Sequence, residues 1–183
     1  MKKPAIPANE AERTTAVDAL AMVYSPAEER FDRITRLASK LFDVPIALVT
    51  LISRDKQWFK SAQGLGVPET PRDIAFCAHA INHDELLLVE DAQTHPDFHD
   101  HPAVTGDPHV RFYAGQPIQY QGQLVGTLCL VNYEPGTLTL SIGVTAVNAG
   151  PGVLTTKLVN TADQALYETK AAGRNGMTFR AFA

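Results

Sequence analysis

Two apolar runs separated by a short turn constrain the fold of this chain more than any other feature. Val110 to Ile118 and Leu124 to Val131 are each long enough for a strand, and Tyr120-Gln121-Gly122-Gln123 stands between them. A glycine in a short turn between two such runs is typical of a β-hairpin. The pattern therefore predicts two neighbouring antiparallel strands, around which the rest of the chain must be arranged.

Three further runs predict more strands of the same sheet. Ile46 to Ile52 is continuously apolar and partly β-branched, which is typical of a central strand covered on both faces. Gln57 to Ala62 is its predicted hairpin partner, and Leu86 to Val89 is a further buried strand. Together with the helices below, these runs predict an α/β (α+β) fold with an antiparallel sheet.

Helices are predicted before and between these strands. Ala8 to Tyr24 has apolar residues at helical spacing, and Ser25-Pro26-Ala27-Glu28 reads as an N-cap, a first-turn proline and a capping-box glutamate. Thr70-Pro71-Arg72-Asp73 predicts the start of a third helix by the same logic, and the loop from Asp91 to Pro108 is long enough to be functional or partly helical. The second predicted helix, which follows Ser25-Pro26-Ala27-Glu28, carries one apolar stripe. That stripe consists of Phe31, Ile34, Leu37, Ala38 and Leu41.

Composition limits the partners that we expect. The 183 residues are 45% hydrophobic and 20% charged with a formal net charge of -4, as in an ordinary globular protein. Such a charge gives no reason to expect nucleic acid or an anionic membrane as partner. No apolar run is long enough to span a bilayer, and two cysteines provide no disulfide framework. We therefore expect a cytoplasmic protein with reduced thiols and no cofactor.

Several short motifs follow one another in a characteristic order. They are Phe76-Cys77-Ala78-His79-Ala80-Ile81, Val89-Glu90-Asp91-Ala92, His95-Pro96-Asp97-Phe98, Pro102-Ala103-Val104, Arg111-Phe112-Tyr113-Ala114-Gly115 and Gly126-Thr127-Leu128-Cys129-Leu130-Val131. In that order the chain from Ser25 to Tyr133 resembles the GAF modules of bacterial histidine kinases and cyclases. The resemblance implies a GAF domain over 25–134, preceded by a helix over residues 1–24 and followed by a separate tail over 135–183.

A GAF domain of this kind would bind a small molecule between its sheet and the helix and long loop above it. The resemblance gives six candidate ligand-binding residues. An alternative for one of them is structural, since Arg111 could pair with Asp91 or Asp97 and lock the loop. The candidates are Phe76, Cys77, His79, Asp91, Arg111 and Tyr113.

The cysteines and the loop histidines need separate interpretations. Cys77 lies near the start of a predicted helix, whose dipole would favour a thiolate, so it is either a redox sensor or a buried packing residue. Cys129 lies within an apolar strand and is predicted to be an inert packing residue. His95, His99, His101 and His109 fit no metal-binding spacing, so we predict a solvated loop and no metal site.

The tail carries a second resemblance. Thr137 to Val144 reads as a strand, and the segment from Ala162 to Asn175 resembles the closing third of a GGDEF domain, the diguanylate cyclase fold. By that resemblance Lys170 and Arg174 correspond to contacts with the nucleotide's terminal phosphates. Met177 to Phe182 is a possible second strand, which makes the tail a β-α-β unit.

The cyclase chemistry itself is missing from the sequence. The chain has no Gly-Gly-Asp/Glu-Glu-Phe motif, and the metal carboxylates that phosphoryl transfer needs are absent with it. We therefore predict a signalling sensor module that is not an enzyme, with Lys170 and Arg174 as vestigial contacts. The alternatives are a cyclase fragment completed by a partner chain, and a dimerisation module whose pocket is filled by side chains. We also expect a homodimer built partly on the helix from Ala8 to Tyr24, with its apolar face packed outside the GAF core.

Overall fold

A computed structural model of the chain describes residues 1–137, 141–146, 164 and 176–181. Residues 1–136 form one compact unit around a six-stranded sheet, in which every pair of neighbours is antiparallel. This confirms the predicted antiparallel sheet with flanking helices. In sheet order the strands are β3 (Glu69–Pro71), β2 (Lys56–Gln63), β1 (Ile46–Ile52), β6 (Gln123–Asn132), β5 (Phe112–Tyr120) and β4 (Leu87–Val89).

The predicted hairpin is the β5–β6 pair, which lies between β1 and β4 in this sheet. Its turn consists of Gln121 and Gly122, which have φ angles of 50° and 76°. Two consecutive residues with positive φ give the turn a twist that matches that of the strands. The central position of β1 is also confirmed, because all seven of its residues are buried.

Helices cover the two faces of the sheet. On one face α1 (Glu10–Ala19) contacts β6, and α2 (Glu29–Phe42) contacts β1 and β2. On the other face α3 (Phe76–Ala80) contacts β5 and β6, and the loop that contains α4 (Pro102–Thr105) contributes Phe98 and Val104 to the same core. The sheet thus separates two apolar clusters, and the candidate site lies on the α3 side.

The prediction for the second helix was wrong in its start, and three residues of its apolar stripe are exposed although Ala38 is buried. The helix begins at Glu29, no side chain caps it, and the Ser25 hydroxyl instead donates to the carbonyl of Met22. Thr35 faces the sheet, where its hydroxyl lies 2.8 Å from that of Ser61. This polar contact sets the rotation of the helix. As a result Ile34, Leu37 and Leu41 are 45%, 63% and 65% exposed.

The first helix is shorter than predicted and belongs to the core. Ala16 and Val17 are buried against Leu51 and Val125 of the sheet, so the expectation that this face packs outside the GAF core was wrong. The physical reason is that α2 leaves the β6 side of the sheet uncovered. Residues 1–24 therefore complete the domain that the motifs mark from residue 25 onward.

The helix predicted from Thr70 onward is divided into three short elements. Thr70 and Pro71 pair with Gln57 and Lys56 at the edge of the sheet, which holds them extended as β3. A 3-10 turn over Arg72–Ile74 follows, and the α-helix begins only at Phe76. Pairing with β2 has overridden the local capping signal.

The tail is described for two strands. β7 (Ser141–Ala146) and β8 (Gly176–Ala181) are parallel partners, which confirms a strand at each end of the predicted tail although the bounds differ. Parallel neighbours need a crossover connection. The predicted helix between them, with Lys170 and Arg174, lies outside the described residues apart from Gln164.

Candidate ligand-binding site

An aromatic cluster lies between the sheet and the segment above it. The ring of Phe76 stacks on Phe98 with 4.6 Å between centroids and on Tyr113 with 5.1 Å, and it lies 4.5 Å from the ring of His101. His79 meets the edge of Phe98 at 4.9 Å. Phe98 and Tyr113 are each only 1% exposed, whereas Phe76 and His79 are half-buried. Phe76 and His79 thus form the accessible side of the cluster.

His101 is a structural residue within this cluster, which corrects the prediction that it belongs to a solvated loop. Its Nδ1 accepts a hydrogen bond of 3.0 Å from the Ala103 amide, so its Nε2 carries the proton and donates to the Ile74 carbonyl at 2.6 Å. Burial lowers the pKa of His101 and favours this neutral form. The ring therefore ties α4 to the segment that precedes α3.

An ion pair between Arg111 and Asp91 lies at the base of the loop. It is one of the two pairings that the structural alternative for Arg111 predicted. Arg111 donates from Nε and Nη2 to the two carboxylate oxygens of Asp91, both at 2.7 Å. Hydrogen bonds from Arg111 hold the pKa of Asp91 below its usual range. Asp97, the other predicted partner, binds Lys2 instead at 3.0 Å. Asp91 and Arg111 therefore clamp the loop.

A small buried polar group lies beneath α3. The sulfur atoms of Cys77 and Cys129 are 3.5 Å apart, and the hydroxyl oxygens of Thr50 and Thr127 are 3.0 Å apart. All four residues are at most 2% exposed. Cys77 is thus in the interior below the aromatic cluster and not at its accessible side.

The structure therefore brings Phe76, His79 and Tyr113 together and places Cys77 beneath them, while Asp91 and Arg111 form a separate clamp. Sequence reasoning missed Phe98 and His101, which supply most of the ring contacts. Phe98 is the one phenylalanine, tyrosine or tryptophan between Asp91 and Pro108, and its contrast with the many polar residues there could have identified it. Among the described residues, no group of three or more His, Cys, Asp or Glu side chains is placed to hold a metal ion.

The chain belongs to the GAF domain family. Residues 26–141 match the family described as GAF domain, and residues 116–176 match the diguanylate cyclase, GGDEF domain. The second match begins inside β5, and its first part, through β6, lies in the GAF sheet of the structure. The chain thus carries a GAF domain followed by a short GGDEF-like region.

A curated relative and several solved structures are similar to this chain. The cyclic di-GMP phosphodiesterase PA2567 of Pseudomonas aeruginosa is 39% identical over 136 residues, which cover 74% of this chain. The matched part spans only 23% of that relative's length. The relative's activity therefore describes a much longer protein.

The structural similarities concern the fold alone. The GAF domain of an Acinetobacter phosphoenolpyruvate-protein phosphotransferase has a TM-score of 0.50 at 14% identity and covers 89% of this chain and 96% of its own. A type II free methionine-R-sulfoxide reductase from Thermoplasma acidophilum has a TM-score of 0.51 at 10% identity, with coverage of 67% and 82%. In the described part of the chain, no helix is both long and apolar enough to cross a bilayer.

Proposed function

We propose that this chain is the sensory part of a cyclic di-GMP signalling protein, and that its GAF domain binds a small molecule at the aromatic cluster. The observation that carries the proposal is the arrangement of Phe76 and His79. Both are half-buried above fully buried rings, so a flat apolar ligand could stack there while the imidazole recognises a polar group. The family match and the phosphodiesterase relative support the signalling context.

Ligand binding is tested best with the whole chain. Small molecules released from the denatured, purified protein are identified by mass spectrometry, and each is titrated while the melting temperature is followed. We expect one compound to raise the melting temperature of the wild type and to have no effect on Phe76→Ala. Trp58 is a poor reporter for this site because it packs with the cluster on the opposite face of the sheet.

Phe31→Ala is the matched control for that experiment. Phe31 is also half-buried, but it belongs to α2 on the other face. Its variant should retain the ligand-induced rise in melting temperature. An equal loss of the rise in both variants would show that the effect comes from general destabilisation, and the site would be wrong.

We further propose that the GGDEF-like region does not make cyclic di-GMP. Phosphoryl transfer requires metal-held carboxylates opposite the phosphates, and the motif that supplies them is missing from the sequence. With magnesium and GTP, the purified protein should give no diguanylate product above a protein-free blank. Product formation that is lost in Arg174→Ala would instead favour the cyclase alternative.

A homodimer is the second proposal, and the exposed stripe of α2 favours it. Ile34, Leu37 and Leu41 lie on one side of this helix and form a row of large apolar side chains in solvent. A second copy offers the same row, so a two-fold interface could bury six such side chains while Arg33 and Lys40 stay at its rim. This interface replaces the one predicted on α1, because the apolar face of α1 is already covered.

Leu37→Asp should convert the dimer to a monomer. A charge at the centre of the apolar row would have to be buried without a partner, which costs several kcal/mol. Light scattering measures the mass, and Arg33→Asp at the rim serves as the control that should stay dimeric. A monomeric wild type at high concentration would contradict the proposal.

A further inference from the structure

We propose that Cys77 and Cys129 form a redox-active dithiol, which a hydroperoxide converts into an intramolecular disulfide that fastens α3 to the central strand β6. This site does not depend on a ligand at the aromatic cluster and thus goes beyond the proposed function. It also replaces the prediction that Cys129 is inert.

The geometry favours an intramolecular bond. The two sulfur atoms lie 3.5 Å apart although the residues are separated by 52 positions in the chain. A disulfide is about 2.05 Å long, so the sulfurs must approach by about 1.5 Å. Cys129 is held between Leu48 and Gly115 of the neighbouring strands, so it is fixed. Cys77 belongs to a helix of only five residues, so we expect most of the approach to come from Cys77.

The two thiols have different pKa values because their surroundings differ. Burial alone would raise the pKa of Cys77, but the hydrogen bond from the Cys129 thiol and the nearby hydroxyl groups outweigh it and lower the value to about 7. The same hydrogen bond and burial raise the pKa of Cys129 well above its ordinary range. Cys77 is therefore the nucleophile and Cys129 the resolving thiol. The dipole of a longer helix is not needed to favour the Cys77 thiolate, because side chains near Cys77 have this effect.

Tyr113 supplies a second, independent observation. Its hydroxyl is fully buried and has no hydrogen-bond partner of ordinary geometry among the described residues. It lies over Gly115, where an added Cβ would be only 2.1 Å from the oxygen, and Gly115 is the register partner of Cys129. A buried donor without a partner is unfavourable. A thiolate or sulfenate on Cys77 would satisfy this donor.

The reaction balances without any other reactant. The Cys77 thiolate attacks the distal oxygen of the hydroperoxide, the O–O bond breaks, and the alkoxide leaves and takes up a proton as alcohol. Cys129 then attacks the sulfur of the Cys77 sulfenic acid, the S–O bond breaks, and hydroxide leaves with the Cys129 proton as water. Two thiols are oxidised and one hydroperoxide is reduced. An external dithiol then reduces the disulfide back to two thiols by thiol–disulfide exchange and is itself oxidised to a disulfide.

The access of a hydroperoxide to Cys77 depends on the size of the oxidant and on the length of α3. A hydroperoxide such as hydrogen peroxide is small and neutral, and Cys77 belongs to the short helix α3, below the aromatic cluster. Local opening of such an element costs less than global unfolding. Oxidation should therefore proceed in the native protein.

The test exposes the native full chain to hydrogen peroxide, blocks the remaining thiols and analyses the peptides by mass spectrometry. We expect a peptide pair joined through Cys77 and Cys129, two hydrogens lighter than the reduced peptides and separated by dithiothreitol. In Cys129→Ser, dimedone should label Cys77. Persistence of both thiols in the native wild type, with oxidation only in denaturant, would overturn the proposal, as would disulfides between chains.

Tyr113→Phe tests the positioning role of the hydroxyl. Loss of one hydrogen bond to a charged sulfur should slow disulfide formation roughly tenfold. The pH at which the rate is half-maximal should also rise, a change that a purely packing role would not cause. Tyr133→Phe, which alters an exposed tyrosine, is the control and should leave both quantities unchanged. Equal rates and equal pH profiles for both variants would remove Tyr113 from the site.

Discussion

Phe98→Ala should lower the free energy of unfolding by about 4 kcal/mol, within the range for truncating a buried aromatic side chain. Phe98 is 1% exposed and its ring contacts those of Phe76, His79 and His95. Its removal deletes these contacts and leaves a cavity, because the loop that carries it is already anchored by His101. Unfolding in urea, followed by circular dichroism, measures the difference.

Tyr133→Ala is the control for this experiment. Tyr133 is 41% exposed, so its truncation should cost less than about 1 kcal/mol. If Phe98→Ala costs no more than this control, the ring of Phe98 does not support the cluster. The proposed ligand site would then lack the buried ring that supports Phe76 and His79.

The sheet was predictable because its signals are local. The hairpin β5–β6 requires a turn of two residues with positive φ, and Gln121-Gly122 supplies it within the sequence itself. The burial of β1 likewise follows from an unbroken apolar run. The face that α2 presents to the sheet has no such local signal. It is set by the contact of Thr35 with Ser61, which lies on a strand 26 residues later.

The candidate site was predictable only in part for the same reason. Phe76, His79 and Tyr113 could be identified through the family resemblance, and the structure places them together. The contact between Cys77 and Cys129 depends on how α3 lies on β6, which no spacing in the sequence reveals. The role of His101 depends on two backbone groups, those of Ile74 and Ala103, that come close only in the folded chain.

Glu10→Gln should lower the free energy of unfolding by about 2 kcal/mol at neutral pH. Glu10 begins α1, and its carboxylate binds both Arg13 and Arg72, at 2.8 and 2.5 Å for the shortest contacts. Both arginines are buried, so the neutral amide would leave two guanidinium groups without a counter-charge. Glu12→Gln, in the same turn but exposed, is the control and should have almost no effect.

The pH dependence distinguishes this ion-pair network from simple packing. Burial alone would raise the pKa of Glu10, but hydrogen bonds from Arg13 and Arg72 outweigh it and lower the value to about 2 from an ordinary 4.5. Because the folded state holds this carboxylate ionised, its contribution is complete above about pH 4.5 and is lost as the pH falls toward 2. The stability difference between wild type and Glu10→Gln should therefore shrink over that window. A difference that stays constant from neutral pH to about pH 3 would mean that the charge of Glu10 does not stabilise the fold.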